Sequence, residues 1–303
     1  MPRPIMIGLV GDSATGKTTF TNGLVGALGE EQVTVIGTDD YHKYDREQRK
    51  TVGVTPLNPE GNYIDIMGYH FQDLLANRAI LKPIYEHSDG TFAPPEYIEP
   101  KRFMIFEGLL AYHTQEMRDA FDVRVYLDPP EELRREWKIS RDTGKRGYEE
   151  DEVHEQFNAR EPDSEAYIRP QKHHADLVVS FRRPSEDRDQ SSLDAVITMR
   201  PGLPHPDLSG IIGEGSDGLE LRQENDHEVL SVPGDLDRER AKEIEEHLWE
   251  KLHFARHLDI EHLGVLGDDG ERSESLAIIQ LLILYHALTA RASVAVGGAG
   301  TRE

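Results

Sequence analysis

Short apolar runs recur along the first two thirds of the chain, and stretches with helical spacing separate them. The runs occupy residues 5–10, 32–38, 102–106, 121–127 and 176–181. They are rich in β-branched or aromatic residues, which is typical of buried strands. Helical spacing is found at residues 17–28, 65–79 and 131–142, and two further helical stretches precede residue 176. This alternation predicts an α/β domain with a mainly parallel sheet flanked by helices.

Two interior segments depart from the alternation of strands and helices. Residues 43–62 are polar, and we predict a long loop there, of the kind that is usually functional. Residues 82–87 and 92–98 are predicted to be short extended segments around a turn at Ser88-Asp89-Gly90.

The last third of the chain has a different composition. Residues 184–225 are rich in Pro, Gly, Ser and Asp, although residues 194–199 are a further candidate strand. We therefore predict a boundary near residue 200, between a main domain (1–200) and a smaller C-terminal α/β extension (201–303). The extension has two predicted helices, at 236–257 and 273–290, and the second is apolar enough to dock on the core or on a partner chain.

Composition narrows the range of partners. The net charge is −23, which repels nucleic acid and anionic membranes and predicts neither as a partner. Such a surface suits a high-salt cytoplasm and suggests a halophilic source, although an ordinary acidic protein would also have it.

Cysteine is absent, so disulfides and thiolate metal sites are excluded. A core strand from residue 5 leaves no room for a signal peptide, and the apolar run 276–288 is too short to span a bilayer, so a cytoplasmic location is expected.

The turn after the first strand carries the clearest chemical signal. It matches the phosphate-binding pattern G-x-x-x-x-G-K-[ST] between a strand and a helix. Its residues are Gly11, Asp12, Ser13, Ala14, Thr15, Gly16, Lys17, Thr18 and Thr19. Backbone N–H groups and the helix N-terminus bind phosphate in such loops, Lys17 would bridge the β- and γ-phosphates, and Thr18 would bind Mg²⁺. We predict binding of a nucleoside triphosphate, the alternative being an ordinary glycine turn.

Two acidic residues at predicted strand ends supply further parts for phosphoryl transfer. Asp39, after the second strand, is the candidate base for an acceptor hydroxyl, although Asp also caps turns. Glu107, at the end of the strand 102–106, is a candidate Mg²⁺ ligand, directly or through water. The alternative for Glu107 is a satisfied strand-end carboxylate.

Two basic clusters suggest where phosphate charge is held. Lys138, Arg141 and Asp142 share one helix face, and Gly144 and Gly147 then permit a flap carrying Lys145 and Arg146. Such a lid would neutralise transition-state charge, although an exposed salt-bridged helix end would have the same pattern. The second cluster is Arg46, Arg49 and Lys50. It suits an acceptor that itself carries a phosphate, unless it is simply a solvated loop.

Together these motifs resemble the phosphoribulokinase branch of the phosphoribulokinase and uridine kinase family of P-loop kinases, over about residues 5–176. The C-terminal helix with Gln280-Leu-Leu-Ile-Leu-Tyr-His286 more weakly resembles archaeal and bacterial forms. The matching segments, besides the phosphate loop, are Asp39-Asp-Tyr-His42, Arg46-x-x-Arg49-Lys50, Gly53-Val-Thr55, Lys82-Pro-Ile-Tyr-x-His87, Glu107-Gly-Leu109, Tyr126-Leu-Asp128, Trp137-Lys138-Ile-x-Arg141-Asp142, Arg146-Gly147, Ala159-Arg160-x-Pro162-Asp163 and Pro170-Gln-Lys172.

The resemblance implies ATP- and Mg²⁺-dependent phosphorylation of ribulose 5-phosphate at its 1-hydroxyl, giving ribulose 1,5-bisphosphate, by a homodimer. It makes Asp39 the base and places Thr18 and Glu107 near the metal. The implied sugar-phosphate ligands are His42, Arg46, Arg49, Lys50, Tyr85, His87 and Arg160. The residues implied to act on the transferred phosphoryl group are Lys17, Lys138, Arg141, Asp142 and Arg146.

Two departures and two alternatives accompany the resemblance. Thr15 stands where plant enzymes have a regulatory cysteine, and residues 56–61 lack a basic residue that the family often has, which affects the expected substrate contacts. One alternative is a uridine kinase-like nucleoside kinase, which shares the phosphate loop but has no use for a basic cluster at an uncharged acceptor. The other is a nucleotide-binding scaffold that has lost catalysis.

Overall fold

The computed structural model describes residues 2–185, 187–188, 191–212, 218–252, 258–267, 270–298 and 300, without the side chains of 145 and 146. Its centre is an eight-stranded sheet. In spatial order the strands are β2 (Val33–Gly37), β5 (Phe103–Gly108), β1 (Ile5–Val10), β6 (Val123–Leu127), β7 (Leu177–Arg182), β8 (Asp194–Met199), β10 (His227–Val232) and β9 (Glu220–Glu224). The first five are parallel, and the last three join antiparallel. The predicted mainly parallel sheet is confirmed.

Helices cover both faces of this sheet. They are α1 (Lys17–Leu28), α2 (Arg46–Val52), α3 (Ile64–Leu75), α4 (Gln115–Asp119), α5 (Glu131–Arg146), α6 (Glu150–Asp163), α7 (Arg238–Glu250) and α8 (Glu274–Ala295). The two-residue period of a strand divides β1 between two hydrophobic clusters. Ile5, Ile7 and Leu9 pack in the cluster that contains α1 and α8, and Met6 and Val10 pack with α3 on the other face.

The polar segment 43–62 is not the long loop that we predicted, because α2 lies within it. Asp45 accepts a hydrogen bond from Gln48 N at 2.7 Å, and the Gln48 side chain accepts one from Asp45 N at 3.0 Å, which is a capping box. Gly53 ends the helix in the left-handed conformation, with φ 77°. Both signals are present in the sequence and are local.

The predicted pair of extended segments forms a hairpin outside the main sheet. β3 (Ile80–Glu86) and β4 (Thr91–Ile98) pair antiparallel, with a register shift between Lys82 and Ile84. Strand β3 of this hairpin contacts residues 38–41, which directly follow β2. It therefore places side chains of β3 at the carboxyl end of the parallel strands, where sites form in such sheets.

The C-terminal third continues the same sheet. β8 lies before the predicted boundary near residue 200 and β10 lies after it, and the two strands pair with each other. The division into two domains stays a prediction. A small hairpin of β11 (Val265–Leu266) and β12 (Glu271–Arg272) precedes α8. α8 has 22 residues and is long and apolar enough to cross a membrane, but 72% of its most apolar 18-residue window is buried inside the protein. Its apolar character is thus accounted for by packing in the core, one of the two predicted docking sites.

Candidate active site

The phosphate loop connects β1 to α1 in the predicted strand–turn–helix context. A side chain at Gly11 would bring a Cβ to 2.6 Å from the Leu127 carbonyl oxygen, and Gly16 has φ 90°. Both positions therefore require glycine. Lys17 Nζ donates to the carbonyl oxygens of Gly11 at 2.9 Å and Asp12 at 2.7 Å, which holds the lysine folded over the loop.

Asp12 maintains the shape of this loop and does not line the cleft. Its carboxylate accepts hydrogen bonds from Ser13 N, at 2.7 Å, and from the Ser164 hydroxyl. Arg134 Nη1 lies 3.4 Å from the same carboxylate. Ser164 and Arg134 were not among the predicted site residues. Nothing local connects them to the loop, because Ser164 is 152 residues away in sequence.

The two predicted metal ligands, Thr18 and Glu107, are adjacent. The Glu107 carboxylate accepts hydrogen bonds from the hydroxyls of Thr21, at 2.5 Å, and Thr18. Burial raises the pKa of Glu107, and these hydroxyls and Lys17 oppose the rise. Within the described residues, no group of three or more His, Cys, Asp or Glu could hold a metal. The Thr18 hydroxyl and the Glu107 carboxylate fit Mg²⁺, which is usually held by one or two protein oxygens together with substrate phosphates.

The acidic pair after β2 divides into two roles. Asp40 accepts a hydrogen bond from Tyr85 N at 3.0 Å and pairs with Lys82, so it fastens the β3–β4 hairpin to this edge of the sheet. Asp39 lines the cleft, half-buried, and is near enough to Lys17 and His42 to oppose the lowering of their pKa values by burial. Asp39 therefore has the position expected of a base.

His42 is held neutral beside Asp39. Its Nδ1 lies 2.7 Å from Asn62 Oδ1, while Asn62 Nδ2 donates to the carbonyl oxygens of Pro56 and Asn58. Since Oδ1 only accepts, His42 Nδ1 carries the proton, and Nε2 is an acceptor. Burial lowers the pKa of His42 to about 4, and Arg49 contributes to that shift.

The two predicted arginines of the first basic cluster lie in the cleft, and the lysine does not. Arg49 donates to the Tyr85 hydroxyl and lies over its ring, 4.9 Å from the centroid. Arg46 donates to the His87 carbonyl oxygen at 2.6 Å. All four residues line the cleft. Lys50, by contrast, pairs with Glu47 at 2.8 Å on the exposed face of α2 and is not part of the lining.

The second basic cluster is also divided. Arg141 lines the cleft and donates from Nε to Asp142 Oδ1 at 2.8 Å. Lys138 and Asp142 are almost fully buried behind it, with Lys138 Nζ 2.5 Å from Asp142 Oδ2, and neither is part of the lining. The structure therefore gives Lys138 and Asp142 supporting positions. The Arg146 side chain lies outside the described residues.

Arg160 joins Arg46, Arg49 and Arg141 in the cleft. It lines the cleft, and burial lowers its pKa, with further lowering by Arg49 and Arg141 and opposition from Asp142. Four guanidinium groups that line one cavity in an acidic protein form a strong anion site.

One polar contact that fixes the cleft wall was missed by sequence reasoning. Asp163 accepts hydrogen bonds from Thr55 Oγ1, at 2.6 Å, and Asn58 Nδ2, at 3.1 Å. These bonds tie the segment after α2 to the end of α6, close to Arg160. Thr55 and Asp163 each lie in a motif that carried the resemblance, but nothing in the sequence indicated that they meet.

These parts surround one cleft of about 1380 Å³. The phosphate loop and Glu107 lie between two ends of different character. One end holds Asp39, His42, Tyr85 and arginines of α2 and α6, and the other is lined by apolar and polar residues of β7 and the C-terminal third, among them Phe181, Leu276 and Glu271. The arrangement suits transfer of a phosphoryl group from a nucleotide on the loop to a hydroxyl beside Asp39.

Comparisons with known proteins agree with this geometry. The model of the phosphoribulokinase / uridine kinase family matches residues 6–187. The chain is 39% identical to a phosphoribulokinase of Synechocystis, over 71% of this chain and 66% of the relative, and 34% identical to a chloroplastic phosphoribulokinase of Triticum aestivum, over 71% and 58%. It thus spans less than two thirds of these curated relatives.

A solved structure of phosphoribulokinase from Rhodobacter spheroides has the same fold, with a TM-score of 0.60 at 19% identity, covering 84% of this chain and 98% of that one. The family match covers more than half of the chain and includes the phosphate loop, Asp39, Glu107 and the cleft arginines Arg46, Arg49, Arg141 and Arg160. The chain belongs to the phosphoribulokinase / uridine kinase family.

Proposed function

We propose that this protein is a kinase that transfers the γ-phosphoryl group of ATP to the 1-hydroxyl of ribulose 5-phosphate. The observation that carries the proposal is the presence of Arg46, Arg49 and Arg160 in one cleft with the phosphate loop, in addition to Arg141, whose Nη2 lies 3.4 Å from Ser13 Oγ of that loop. An acceptor that brings its own phosphate accounts for cations at the acceptor end, because guanidinium groups bind phosphate with two parallel hydrogen bonds.

The donor end is assigned to ATP with Mg²⁺. Backbone N–H groups of residues 13–18 and Lys17 would hold the phosphates, and Thr18 and Glu107 would hold the metal, which neutralises charge on the transferring group when bound. The oxygen-only donor set supports this choice of metal.

In the proposed reaction the sugar O1 forms a bond to the γ-phosphorus, and the bond from that phosphorus to the ADP oxygen breaks. Asp39 takes the proton of the hydroxyl. His42 Nε2 is an acceptor and orients the sugar through a hydroxyl, whereas Arg46 and Arg49 bind the 5-phosphate. Arg141 stabilises the charge that develops on the phosphoryl oxygens.

The second candidate, a uridine kinase-like nucleoside kinase, would use the same loop and base. An uncharged nucleoside leaves Arg46 and Arg49 without an anionic partner in the cleft, so the acceptor end favours a sugar phosphate. Retention of Lys17, Asp39 and Glu107 together in one cleft argues against the third candidate, a non-catalytic scaffold.

The deciding experiment is a coupled assay of ADP formation with Mg-ATP, offering ribulose 5-phosphate and uridine separately. Turnover with ribulose 5-phosphate alone supports the proposal, and turnover with uridine alone refutes it. Asp39→Asn should retain ATP binding and lose about 1,000-fold or more in kcat, since only the base is removed. Turnover of this variant within threefold of wild type would remove Asp39 from the role.

A cytoplasmic location, a homodimer and a halophilic source complete the proposal. The last rests on the net charge of −23, because molar salt screens the self-repulsion of an acidic chain. The proposed enzyme should therefore keep or gain activity and thermal stability in molar KCl. Unfolding by molar KCl would refute the halophilic assignment without affecting the proposed reaction.

A further inference from the structure

The imidazole of His42 is almost fully buried at the acceptor end of the cleft, with 3% of the residue exposed. The ring of Tyr85 packs against it in an edge-to-face arrangement, with 4.8 Å between the centroids. Nδ1 is taken by Asn62 at 2.7 Å, and Nε2 has no hydrogen-bond partner among the described residues. Nε2 is therefore the ring nitrogen with which His42 can contact a substrate.

The backbone brings Asn62 opposite His42, although 20 positions separate them in sequence. The two residues form an isolated antiparallel β-bridge. Hydrogen bonds between the backbones of residues 41–43 and 61–63, at 2.8 and 2.9 Å, flank the pair on both sides. Residues directly opposite each other in antiparallel segments have adjacent side chains. The contact between the Asn62 amide and the His42 ring is therefore set by backbone pairing and does not depend on a substrate.

The orientation of the Asn62 amide is fixed by its other contacts. Asn62 is 2% exposed, and its Nδ2 donates to the carbonyl oxygens of Pro56, at 3.0 Å, and Asn58, at 2.8 Å. Since carbonyl oxygens only accept, a reversed amide would place Oδ1 against two acceptors and lose both hydrogen bonds. Oδ1 therefore faces His42, which keeps the proton of the neutral imidazole on Nδ1.

The segment that supplies these two carbonyl groups is fastened to the end of α6. Asp163, the last residue of that helix, accepts hydrogen bonds from Thr55 Oγ1 at 2.6 Å and from Asn58 Nδ2 at 3.1 Å. Leu57, between these two donors, is buried in a small apolar cluster of its own. The carbonyl groups that orient Asn62 thus belong to a firmly held part of the cleft wall.

We propose that Asn62 is a positioning residue of the acceptor site, because it selects the His42 tautomer that offers Nε2 as an acceptor to a sugar hydroxyl. This inference rests on the proposed function for the identity of the acceptor. A dianionic phosphate has only acceptor oxygens and cannot donate to Nε2, whereas a hydroxyl can. The Asn62–His42 pair therefore distinguishes the hydroxyl-bearing part of the sugar phosphate from its phosphate end. It thereby favours the orientation in which O1 lies toward Asp39.

The tautomer is measured by ¹⁵N NMR of the full chain labelled at its histidine nitrogens, without any substrate. The His42 signals are those that are missing from His42→Ala, and in wild type they should show the proton on Nδ1. Asn62→Leu removes the acceptor at similar volume and should let the proton move to Nε2, since nothing then holds it on Nδ1. Asn62→Asp keeps an oxygen toward Nδ1 and should keep the proton there.

Kinetics test whether this tautomer matters to the substrate. Asn62→Leu should raise KM for ribulose 5-phosphate about tenfold, the loss of about one hydrogen bond, and leave KM for ATP within twofold. Asn22→Leu is the matched control, the same change at an exposed position of α1 outside the cleft, and should alter neither value. In a His42→Ala background, Asn62→Leu should change KM for ribulose 5-phosphate less than about twofold, because Asn62 acts through His42.

Wild type with the proton on Nε2 of His42, or Asn62→Leu with the proton still on Nδ1, would overturn the inference. So would a rise in KM for ribulose 5-phosphate that is equal with and without His42, since Asn62 would then act only through the fold. Absence of turnover with ribulose 5-phosphate in wild type would refute the proposed function. The spectra, recorded without substrate, would still decide which tautomer Asn62 imposes.

Discussion

Arg141 Nε lies 2.8 Å from Asp142 Oδ1, and Asp142 holds Lys138 with its other oxygen at 2.5 Å. Only Arg141 reaches the cleft. The hydrogen bonds from Arg141 and Lys138 outweigh the effect of burial and lower the pKa of Asp142, so the carboxylate stays ionised. Three residues that share one helix face therefore divide into one that contacts the cleft and two that orient it.

This division predicts different consequences for two substitutions on α5. Arg141→Ala should lower kcat about 100-fold or more, since a cation at the transferring group is lost, and should lower stability less than Lys138→Met does, because the Arg141–Asp142 pair is partly exposed. Lys138→Met should instead lower the free energy of unfolding by about 3 kcal/mol, because Asp142 loses one partner of a buried ion pair. Kinetics and thermal unfolding of both variants check this. Equal loss of stability in the two would contradict the division.

The helix α2 offers a matched pair of cations one residue apart. Arg49→Ala should raise KM for ribulose 5-phosphate about tenfold or more, because a charge-assisted contact to phosphate is lost, and leave KM for ATP within twofold. Lys50→Ala should change neither value, since Lys50 pairs with Glu47 away from the cleft. Steady-state kinetics with each substrate varied in turn give both constants. A rise in both KM values for Arg49→Ala would point to a structural role.

Two helical glycines predict stability changes of opposite sign. A Cβ at Gly23 on α1 would lie 2.3 Å from Gln280 Nε2, whereas nothing lies within 4 Å of a Cβ at Gly144 on α5. Gly23→Ala should therefore lower Tm by displacing Gln280. Gly144→Ala should raise the free energy of unfolding by about 0.5–1 kcal/mol, the usual gain in a helix. Denaturant titrations decide, and a stabilised Gly23→Ala would show that Gln280 is free to move.

His286 predicts a loss of stability in acid. Burial on α8 lowers its pKa to about 3, and His205, 3.3 Å away, adds to the shift. An unfolded histidine has a pKa of about 6.5, so the unfolded chain binds more protons below that pH. The contribution of neutral His286 is then complete above pH 6.5 and is lost as the pH falls toward 3.

The prediction for His286 is measured as a difference between variants. Between pH 7 and pH 5, wild type should lose about 2 kcal/mol more unfolding free energy than His286→Leu, at 1.4 kcal/mol per pKa unit. His154→Gln, on the exposed side of α6, is the control and should behave as wild type. The same pH dependence in wild type and His286→Leu would rule out the assigned pKa.

The alternation of apolar and polar residues was sufficient to predict the sheet. The five parallel strands fall at or within two residues of the predicted runs, because a buried strand and its turns leave a local pattern. The helix α2 was missed although Asp45, Gln48 and Gly53 mark its ends, since its polar residues suggested a loop. The strands β11 and β12 left no pattern, because two-residue strands have too few positions to alternate.

By itself the sequence determined the phosphate loop, the acid after β2 and the order of the family motifs, because each depends on neighbours along the chain. Tertiary structure alone decided that Asp39 lines the cleft while Asp40 fastens a hairpin, and that Arg141 but not Lys138 reaches the cavity. It also decided that Gln280 joins residues 264 and 19. Burial and hydrogen-bond partners depend on segments far apart in sequence, and no local pattern records which of them meet.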